Sequence, residues 1–271
     1  MNTRLSQQQI EFYRDNGFVV IDKFLTAKEL ETWRAAVDEA IADRGRQRLP
    51  GVEDKMKDEE YYNNVFVQRV NLWQSNAKMR KLMLDARLGK MAATLAGVEG
   101  IRIWHDQALI KRPWANPTAW HLDNPYWSFS SRNAITIWVA LDDATYENGC
   151  LYFLPGTHKS ATFDNVGIGQ NMRDLFTVYP QWATISSAAA PMKAGSCSFH
   201  NGLIAHGAGA NMTPGLRRAM TCAYMPDGET FNGKRNILSA EQLARLKVGD
   251  LLEDDAQVPL IYHPTKPIVT R

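Results

Sequence analysis

The second half of this chain consists of short apolar runs separated by turn-forming residues. The strongest run, Ala134–Leu141, is rich in β-branched residues, and Cys150–Leu154 is bounded by the turn dipeptides Asn148-Gly149 and Pro155-Gly156. Further runs occur at Ile101–Trp104, Ser196–Phe199 and Arg218–Tyr224. Many short strands joined by Gly, Pro, Asn and Asp turns are typical of a β-sandwich or a β-barrel.

The first 100 residues have a helical pattern instead. Two capping boxes, Ser6 with Gln9 and Thr26 with Glu29, predict helix starts, and the second is followed by apolar residues at helical spacing. A short strand is predicted between them, at Phe18–Ile21. The polar stretch Arg46–Asn64 has no periodicity and is predicted to be a surface loop, and helical spacing returns at Met79–Leu95.

The length of the chain favours one globular domain with an elaboration or two small domains, and we expect a single domain that spans residues 1–271. Hydrophobic residues make up 45% of the chain and the formal net charge is +2. These values exclude a largely disordered chain and argue against a nucleic-acid binder. We expect a mostly helical support, a β core with one insertion, and a C-terminal extension. Their ranges are 1–100, 101–225 with the insertion at 160–194, and 226–271.

Several function classes are disfavoured by what the sequence lacks. Three separated cysteines without a CxxC pair, Cys150, Cys197 and Cys222, form neither a disulfide framework nor a zinc ribbon. The apolar runs are shorter than the roughly 20 residues that span a bilayer, and the first residues have no apolar signal core. We therefore expect a soluble cytoplasmic protein, a monomer or homodimer, that acts on a small molecule without nucleic-acid or membrane partners.

The histidines give the first indication of chemistry. His121 and Asp123 are two residues apart, and in an extended segment such residues point to the same side. An imidazole and a carboxylate presented together suit Fe(II), Mn(II) or Zn(II). The alternative interpretation is a surface histidine followed by a turn into Asn124-Pro125.

A third ligand would complete a site with two histidines and one carboxylate. His200 and His206 are both candidates, because they flank a short turn that leads into a Gly-rich segment. Arg217 lies eleven residues after His206 and is suited to bind a carboxylate with two hydrogen bonds. From spacing alone, a metal site formed by His121, Asp123 and His206 and a purely structural role for these residues are equally good interpretations. His158, after a Pro-Gly-Thr turn, is expected to fix a loop.

Five ordered motifs resemble the phytanoyl-CoA dioxygenase family. They are Leu109–Pro113, Trp120–Trp127 (WHLDNPYW), the block from Ile137 to His158, His200–Asn211, and Arg217–Ala219. Including the N-terminal stretch Gln9–Phe24, the resemblance runs from about residue 5 to about residue 230. It implies a mainly β protein with a helical N-terminal region, folded as a double-stranded β-helix (a cupin-like jelly roll). It also implies that Fe(II), 2-oxoglutarate and O₂ are the cofactors.

The resemblance assigns roles to individual residues. It places the iron ligands at His121, Asp123 and His206, and it makes Arg217 the residue that binds the distal carboxylate of 2-oxoglutarate. It puts Trp138 beside this cosubstrate.

Three further cosubstrate contacts are expected from the same resemblance. Gln107, four residues before Lys111, matches another neighbour of the cosubstrate, and Trp127 is expected to form a wall of the pocket. The family often has Ser where this chain has Ala208, and Thr136 is expected to supply the missing hydrogen bond. Ordinary core packing is the alternative for these side chains.

The implied reaction is oxidation of an aliphatic C–H bond. 2-Oxoglutarate would be converted to succinate and CO₂, and a small organic acid, amine or natural-product intermediate would be hydroxylated. Halogenating relatives have Gly or Ala where this chain has Asp123, so hydroxylation is expected. A non-catalytic, cupin-like binding protein is the alternative, against which Arg217 argues. A zinc hydrolase is a further alternative, although no general-base Glu lies beside the ligands in the sequence.

Overall fold

Two antiparallel sheets form the centre of the protein, as seen in a computed structural model that describes residues 1–44 and 59–268. The larger sheet has the strand order β1-β8-β5-β10-β3, and β2 and β11 both pair with the remaining edge of β3; the smaller sheet has the order β4-β9-β6-β7. The strands are β1 (Phe18–Ile21), β2 (Val67–Val70), β3 (Ile101–Lys111), β4 (Thr118–His121), β5 (Ile135–Ala140), β6 (Leu151–Phe153), β7 (Ala188–Ala190), β8 (Cys197–Asn201), β9 (His206–Ala208), β10 (Arg217–Pro226) and β11 (Leu260–Tyr262).

The helices lie mostly in the first hundred residues. They are α1 (Gln7–Asn16), α2 (Ala27–Arg44), α3 (Glu59–Asn63), α4 (Leu72–Ser75), α5 (Ala77–Met83), α6 (Ala86–Ala96), α7 (Leu175–Val178) and α8 (Ala240–Arg245). Short 3₁₀ turns occupy Asn124–Tyr126, Thr157–Lys159 and Pro180–Thr184. Within residues 1–44 and 59–268, no helix combines the length and the apolar character that crossing a bilayer requires.

Local signals in the sequence set the first helices. Ser6 and Gln9 form the expected capping box, and Gly17 ends α1 in the left-handed conformation with φ 83°. At the start of α2, the Thr26 N–H donates to the Glu29 carboxylate and the Glu29 N–H donates to the Thr26 hydroxyl, which is a second capping box. These predicted helix starts are therefore confirmed.

One face of the larger sheet packs against the helices. Ile135, Ile137 and Val139 of β5 lie in one apolar cluster with Trp33 of α2 and Leu88 of α6. Because side chains alternate along a strand, the intervening residues of β5 face the opposite way, toward the smaller sheet. The outer face therefore supplies the main apolar core, and the inner face is directed toward the smaller sheet.

The inner faces of the two sheets contact each other. Phe18 of β1 stacks on Phe153 of β6, with ring centroids 4.4 Å apart. Trp138 of β5 and Ala219 of β10 share a second apolar cluster with Ala208 of β9. This cluster closes part of the space between the sheets, and polar side chains line the rest.

Three predicted segments differ from the structure. Of the loop predicted at Arg46–Asn64, residues 46–58 lie outside the described part, and Glu59–Asn63 is helical, so the prediction was wrong there. The strand predicted at Ile101–Trp104 continues to Lys111. The prediction stopped short because buried polar residues in the middle of the strand hide the alternation of apolar and polar side chains. The insertion at 160–194 contributes Ala188–Ala190, which pairs with β6 although an alanine run carries no strand signal.

Burial of Asp106 generates a stability prediction. Asn71 precedes α4 with φ 56° and gives no side-chain cap, and the Asp106 carboxylate of β3 accepts the N–H groups of Leu72 and Trp73 instead, at 2.6 and 2.9 Å. Asp106→Ala leaves these buried donors unpaired, so we expect the free energy of unfolding to fall by about 2–4 kcal/mol. Asp15→Ala, which removes an exposed ion pair with Lys159, should change it by less than about 0.5 kcal/mol. Urea unfolding of both variants measures this, and equal midpoints would contradict it.

Candidate metal centre

Two strands of the smaller sheet bring His121 and His206 together. The residues are register partners in β4 and β9, and their ring centroids lie 4.2 Å apart. Gly207, which follows His206, has no room for a side chain, because a Cβ there would lie 2.6 Å from the carbonyl oxygen of Thr118. The close approach of β4 and β9 therefore depends on glycine at this position.

Asp123 reaches the two histidines through a turn. An extended segment was predicted from His121 to Asp123, but Asp123 has an α-helical backbone (φ −79°, ψ −53°) at the start of the 3₁₀ turn. The backbone N–H groups of Asp123 and Asn124 both donate to the carbonyl of Gly202, at 3.1 and 2.8 Å. This anchor fixes the carboxylate beside the histidines.

Three potential ligand atoms converge at this point. Asp123 Oδ1 lies 3.6 Å from His121 Nε2 and 3.7 Å from His206 Nε2, and all three donor atoms lie within 4.8 Å of one another. Two imidazole nitrogens and one carboxylate oxygen on one side of a centre are the donor set of a facial metal triad.

The hydrogen bonds of the rings set their protonation. His121 Nδ1 lies 2.8 Å from the carbonyl of Ala119, and His206 Nδ1 lies 3.1 Å from that of Ile204. Since a carbonyl oxygen only accepts, each Nδ1 carries a proton, which leaves Nε2 of each ring as the nitrogen that can bind a metal. Burial and the neighbouring His121 lower the pKa of His206 to about 3, so its ring is neutral at pH 7. Converging lone pairs and a carboxylate are what a cation would stabilise.

The second carboxylate oxygen of Asp123 contacts the larger sheet. Oδ2 accepts a hydrogen bond from the Thr136 hydroxyl at 3.3 Å and lies 3.3 Å from His200 Nε2. Thr136 and His200 are register partners in β5 and β8.

This arrangement separates the two histidines that the sequence left as candidates. His206 belongs to the converging group, whereas His200 Nε2 lies 3.3 Å from the other carboxylate oxygen, Oδ2, and the His200 ring also contacts that of His206, with centroids 4.6 Å apart. The hydroxyl of Thr136, a residue expected beside the cosubstrate, donates to Asp123.

A buried arginine lies in the same interior. Arg217 of β10 is 2% exposed, and its Nε and Nη1 have no hydrogen-bond partner among the residues described. Its guanidinium carbon lies 5.2 Å from the ring centroid of Trp138, two residues along the inner face from Thr136. Burial lowers the pKa of Arg217 to about 10, so it keeps its charge at pH 7. Arg218, by contrast, faces outward and pairs with Asp142 and Asp38.

Further predicted site residues line this interior. Gln107 of β3 accepts a hydrogen bond from the side chain of Gln68. Trp127 is buried, and its ring lies edge-on to that of His105, with centroids 5.9 Å apart. His105 is buried, burial lowers its pKa to about 4, and its Nδ1 has no partner in the described chain. The signal for its position was its place two residues before Gln107 on one strand face.

Comparison of the sequence with protein families gives one match over most of the chain. Residues 13–219 match the family described as phytanoyl-CoA dioxygenase (PhyH). The chain belongs to this family.

Individual relatives and solved structures extend the comparison. Peroxisomal phytanoyl-CoA dioxygenase of Rattus norvegicus is 25% identical over 240 residues, which cover 82% of this chain and 69% of the relative. The crystal structure of SnoK, a non-heme alpha-ketoglutarate-dependent carbocyclase from nogalamycin biosynthesis, is similar with a TM-score of 0.78 and 29% identity, covering 95% of this chain and 96% of that one. The epimerase SnoN, crystallised with Fe³⁺, alpha-ketoglutarate and nogalamycin RO, gives a TM-score of 0.73 at 26% identity, with 94% and 98% covered.

The geometry of this PhyH-family member predicts which histidine binds the metal. His206→Ala removes a ligand and should abolish Mn(II) binding at micromolar metal, measured by electron paramagnetic resonance without oxygen. His200→Ala removes only a contact to the ligand Asp123 and should weaken binding by about tenfold. His263→Ala, which changes a residue that contacts Thr265 and Lys266, is the control and should leave binding unchanged. Retained binding in the His206 variant and loss in the His200 variant would reverse the assignment.

Proposed function

We propose that this protein is an Fe(II)- and 2-oxoglutarate-dependent oxygenase that hydroxylates an aliphatic C–H bond of a small organic acid, amine or natural-product intermediate. One observation carries the proposal: a three-donor cluster and a buried arginine with unpartnered N–H groups share one interior. The metal and cosubstrate bound by the related SnoN support it. We further propose that the two sheets are the halves of a double-stranded β-helix, in a single domain.

The proposed iron ligands are His121, Asp123 and His206. Two imidazole nitrogens and one carboxylate oxygen are a donor set that fits Fe(II). The cluster within the described residues has three protein donors, so the remaining coordination positions of the metal are open to other ligands. When bound, Fe(II) and 2-oxoglutarate supply O₂ activation with release of succinate and CO₂. Thr136 and His200 hold Asp123 Oδ2, which keeps Oδ1 directed at the metal side.

Arg217 is the proposed partner of the distal carboxylate of 2-oxoglutarate. Its guanidinium lies over Trp138, one step of about 7 Å along the strand face from Thr136, whose hydroxyl contacts the proposed ligand Asp123. A five-carbon dicarboxylate is long enough to span such a distance. Burial strengthens the pairing, because little water competes for the charge.

The insertion at 160–194 is the proposed source of substrate selectivity. Asn165 binds both backbone groups of Leu122, the residue between two proposed ligands, with contacts of 3.3 and 2.7 Å. The Tyr126 hydroxyl donates to the carbonyl of Val166. The insertion therefore lies directly on the metal-binding turn, and loops at such positions determine which substrates fit.

Loss of the arginine should affect the cosubstrate far more than the metal. We expect Arg217→Met to weaken 2-oxoglutarate binding at least about tenfold, since a buried charge-assisted pair is worth roughly 2–5 kcal/mol. Anaerobic Fe(II) with 2-oxoglutarate should give the weak visible charge-transfer band of a chelate, and titration of this band measures the affinity. Arg218→Met is the matched control, because Arg218 pairs with surface carboxylates. Equal affinity in both variants would refute the assignment.

The reaction outcome should be gain of oxygen. Asp123 occupies the position that would otherwise be open to chloride, so a panel of organic acids and amines, incubated with Fe(II), 2-oxoglutarate, O₂ and chloride, should contain a product heavier by one oxygen atom. Mass spectrometry of the products and measurement of succinate test this. A chlorinated product would contradict the role of Asp123, and tight 2-oxoglutarate binding without any succinate would favour a non-catalytic binding protein.

A further inference from the structure

His105 lies on the inner face of the larger sheet, far from the proposed carboxylate site. In β3 it precedes the buried Lys111, the register partner of Arg217, by six residues, which is roughly 20 Å along a strand. Across the sheet it shares one row with Thr136, two strands away, which is roughly 10 Å. Thr136 contacts the proposed ligand Asp123. His105 is therefore nearer to Thr136 than to Arg217, and a five-carbon molecule held by Arg217 does not reach it.

An irregularity in β3 directs two consecutive rings toward the metal-binding turn. A regular strand would point Trp104 and His105 to opposite faces, but the pairing of β3 with β10 shifts by one residue at this point. Trp104 then lies edge-on to Phe129, with ring centroids 5.2 Å apart, and His105 lies edge-on to Trp127. Bulges of this kind re-aim side chains and are common beside active sites.

Trp127, the aromatic wall beside His105, is held from two sides. Asn232 of the C-terminal extension donates to the Trp127 carbonyl at 3.1 Å. The ring packs against Gly202, where a Cβ would lie 3.3 Å from it, and the Gly202 carbonyl is also the anchor of Asp123. A fixed aromatic surface therefore lies beside both His105 and the metal-binding turn.

Two tyrosine hydroxyls also lie near Asp123. Tyr62 of α3 donates to Oε1 of Gln68 at 3.4 Å, and Tyr126 donates to the carbonyl of Val166. Burial raises the pKa of both hydroxyls and the negative charge of Asp123 adds to this effect, so both stay neutral at pH 7. Each hydroxyl oxygen keeps lone pairs that can accept a further hydrogen bond.

The side chains of this corner favour an uncharged partner. His105 is 7% exposed and neutral at pH 7, and a neutral imidazole offers one N–H and one lone pair. Among the residues described, no lysine or arginine is near enough to affect the pKa of His105 or of either tyrosine. An anion would lose its hydration here without gaining a cation, and an ammonium group would face the carboxylate that is assigned to the metal. A hydroxyl or carbonyl oxygen suits these donors and acceptors.

We propose that His105, Tyr62 and Tyr126 form a substrate subsite for an uncharged oxygen group, and that the substrate is a hydroxyl- or carbonyl-bearing ring compound rather than an organic acid or an amine. The inference rests on the proposed function and narrows its substrate class. Nδ1 of His105, which has no partner among the described residues, binds the substrate oxygen. Trp127 and the tyrosine rings offer flat apolar faces to the ring of the substrate. A substrate held in this way keeps its reacting C–H bond at a fixed distance from the metal.

Paramagnetic relaxation tests the subsite, because Mn(II) speeds the relaxation of nuclei that lie close to it. The protein, loaded with Mn(II) and 2-oxoglutarate without oxygen, is titrated with cyclohexanol, cyclohexanecarboxylate and cyclohexylamine. We expect faster relaxation of the cyclohexanol protons and an affinity at least about fivefold higher than for the acid or the amine. Zn(II) in place of Mn(II) should remove the effect. Equal affinity of the three probes, tighter binding of a charged probe, or no enhancement for cyclohexanol overturns the inference.

Two variants assign the effect to this corner. His105→Phe keeps a ring against Trp127 and should lower the affinity for cyclohexanol about fivefold, with Mn(II) and 2-oxoglutarate binding unchanged. Tyr62→Phe should lower it about threefold, and this variant decides if His105→Phe fails to fold. His263→Phe, in the C-terminal extension, is the control and should bind the probe normally.

The outcomes separate this inference from the proposed function. Unchanged cyclohexanol affinity in both variants, or an equal loss of cyclohexanol and 2-oxoglutarate binding, would overturn the subsite. Normal binding of Mn(II) and 2-oxoglutarate without a preference for the alcohol would overturn the inference alone. Failure of the unmodified protein to bind Mn(II) and 2-oxoglutarate would overturn the proposed function, and the inference with it.

Discussion

The carboxylate of Asp123 joins the two sheets of this protein. One oxygen faces His121 and His206 on the smaller sheet, and the other meets Thr136 and His200 on the larger sheet. Because both of its oxygens accept, the carboxylate can offer one oxygen to a metal and accept the Thr136 hydroxyl with the other. The distance between the sheets and the direction of the proposed metal site are therefore set by the same side chain.

Stability and chemistry are divided between the two faces of the larger sheet. The outer face contributes Ile135, Ile137 and Val139 to the main apolar core. The inner face contains buried polar atoms without partners in the described residues, among them His200 Nδ1 and Arg217 Nη1. Such atoms destabilise the folded state. The apolar outer face offsets this cost, and the ligands proposed above would remove part of it.

Different parts of the structure were predictable for different physical reasons. Helix starts depend on local contacts, so the pair Ser6 and Gln9 sufficed for α1. Most core strands were visible as short apolar runs bounded by turn residues, but β7 is a run of alanines whose pairing comes from its neighbour β6. Burial of a charged residue depends on contacts across the fold, so nothing in the run Leu109–Pro113 indicated that its lysine is enclosed. The capping of α4 by Asp106, from a different strand, was invisible for the same reason.

Only part of the candidate metal site could be predicted from the sequence. Spacing indicated His121 with Asp123, but the choice between His200 and His206 required the family resemblance, and the structure places their Nε2 atoms beside different oxygens of the carboxylate. The contact between Asn165 and the backbone of Leu122 has an evolutionary consequence. On the proposed function, a change at Asn165 that alters substrate preference also acts on the segment between two of the proposed metal ligands. Laboratory selection for a new substrate then has to be followed by selection for metal affinity.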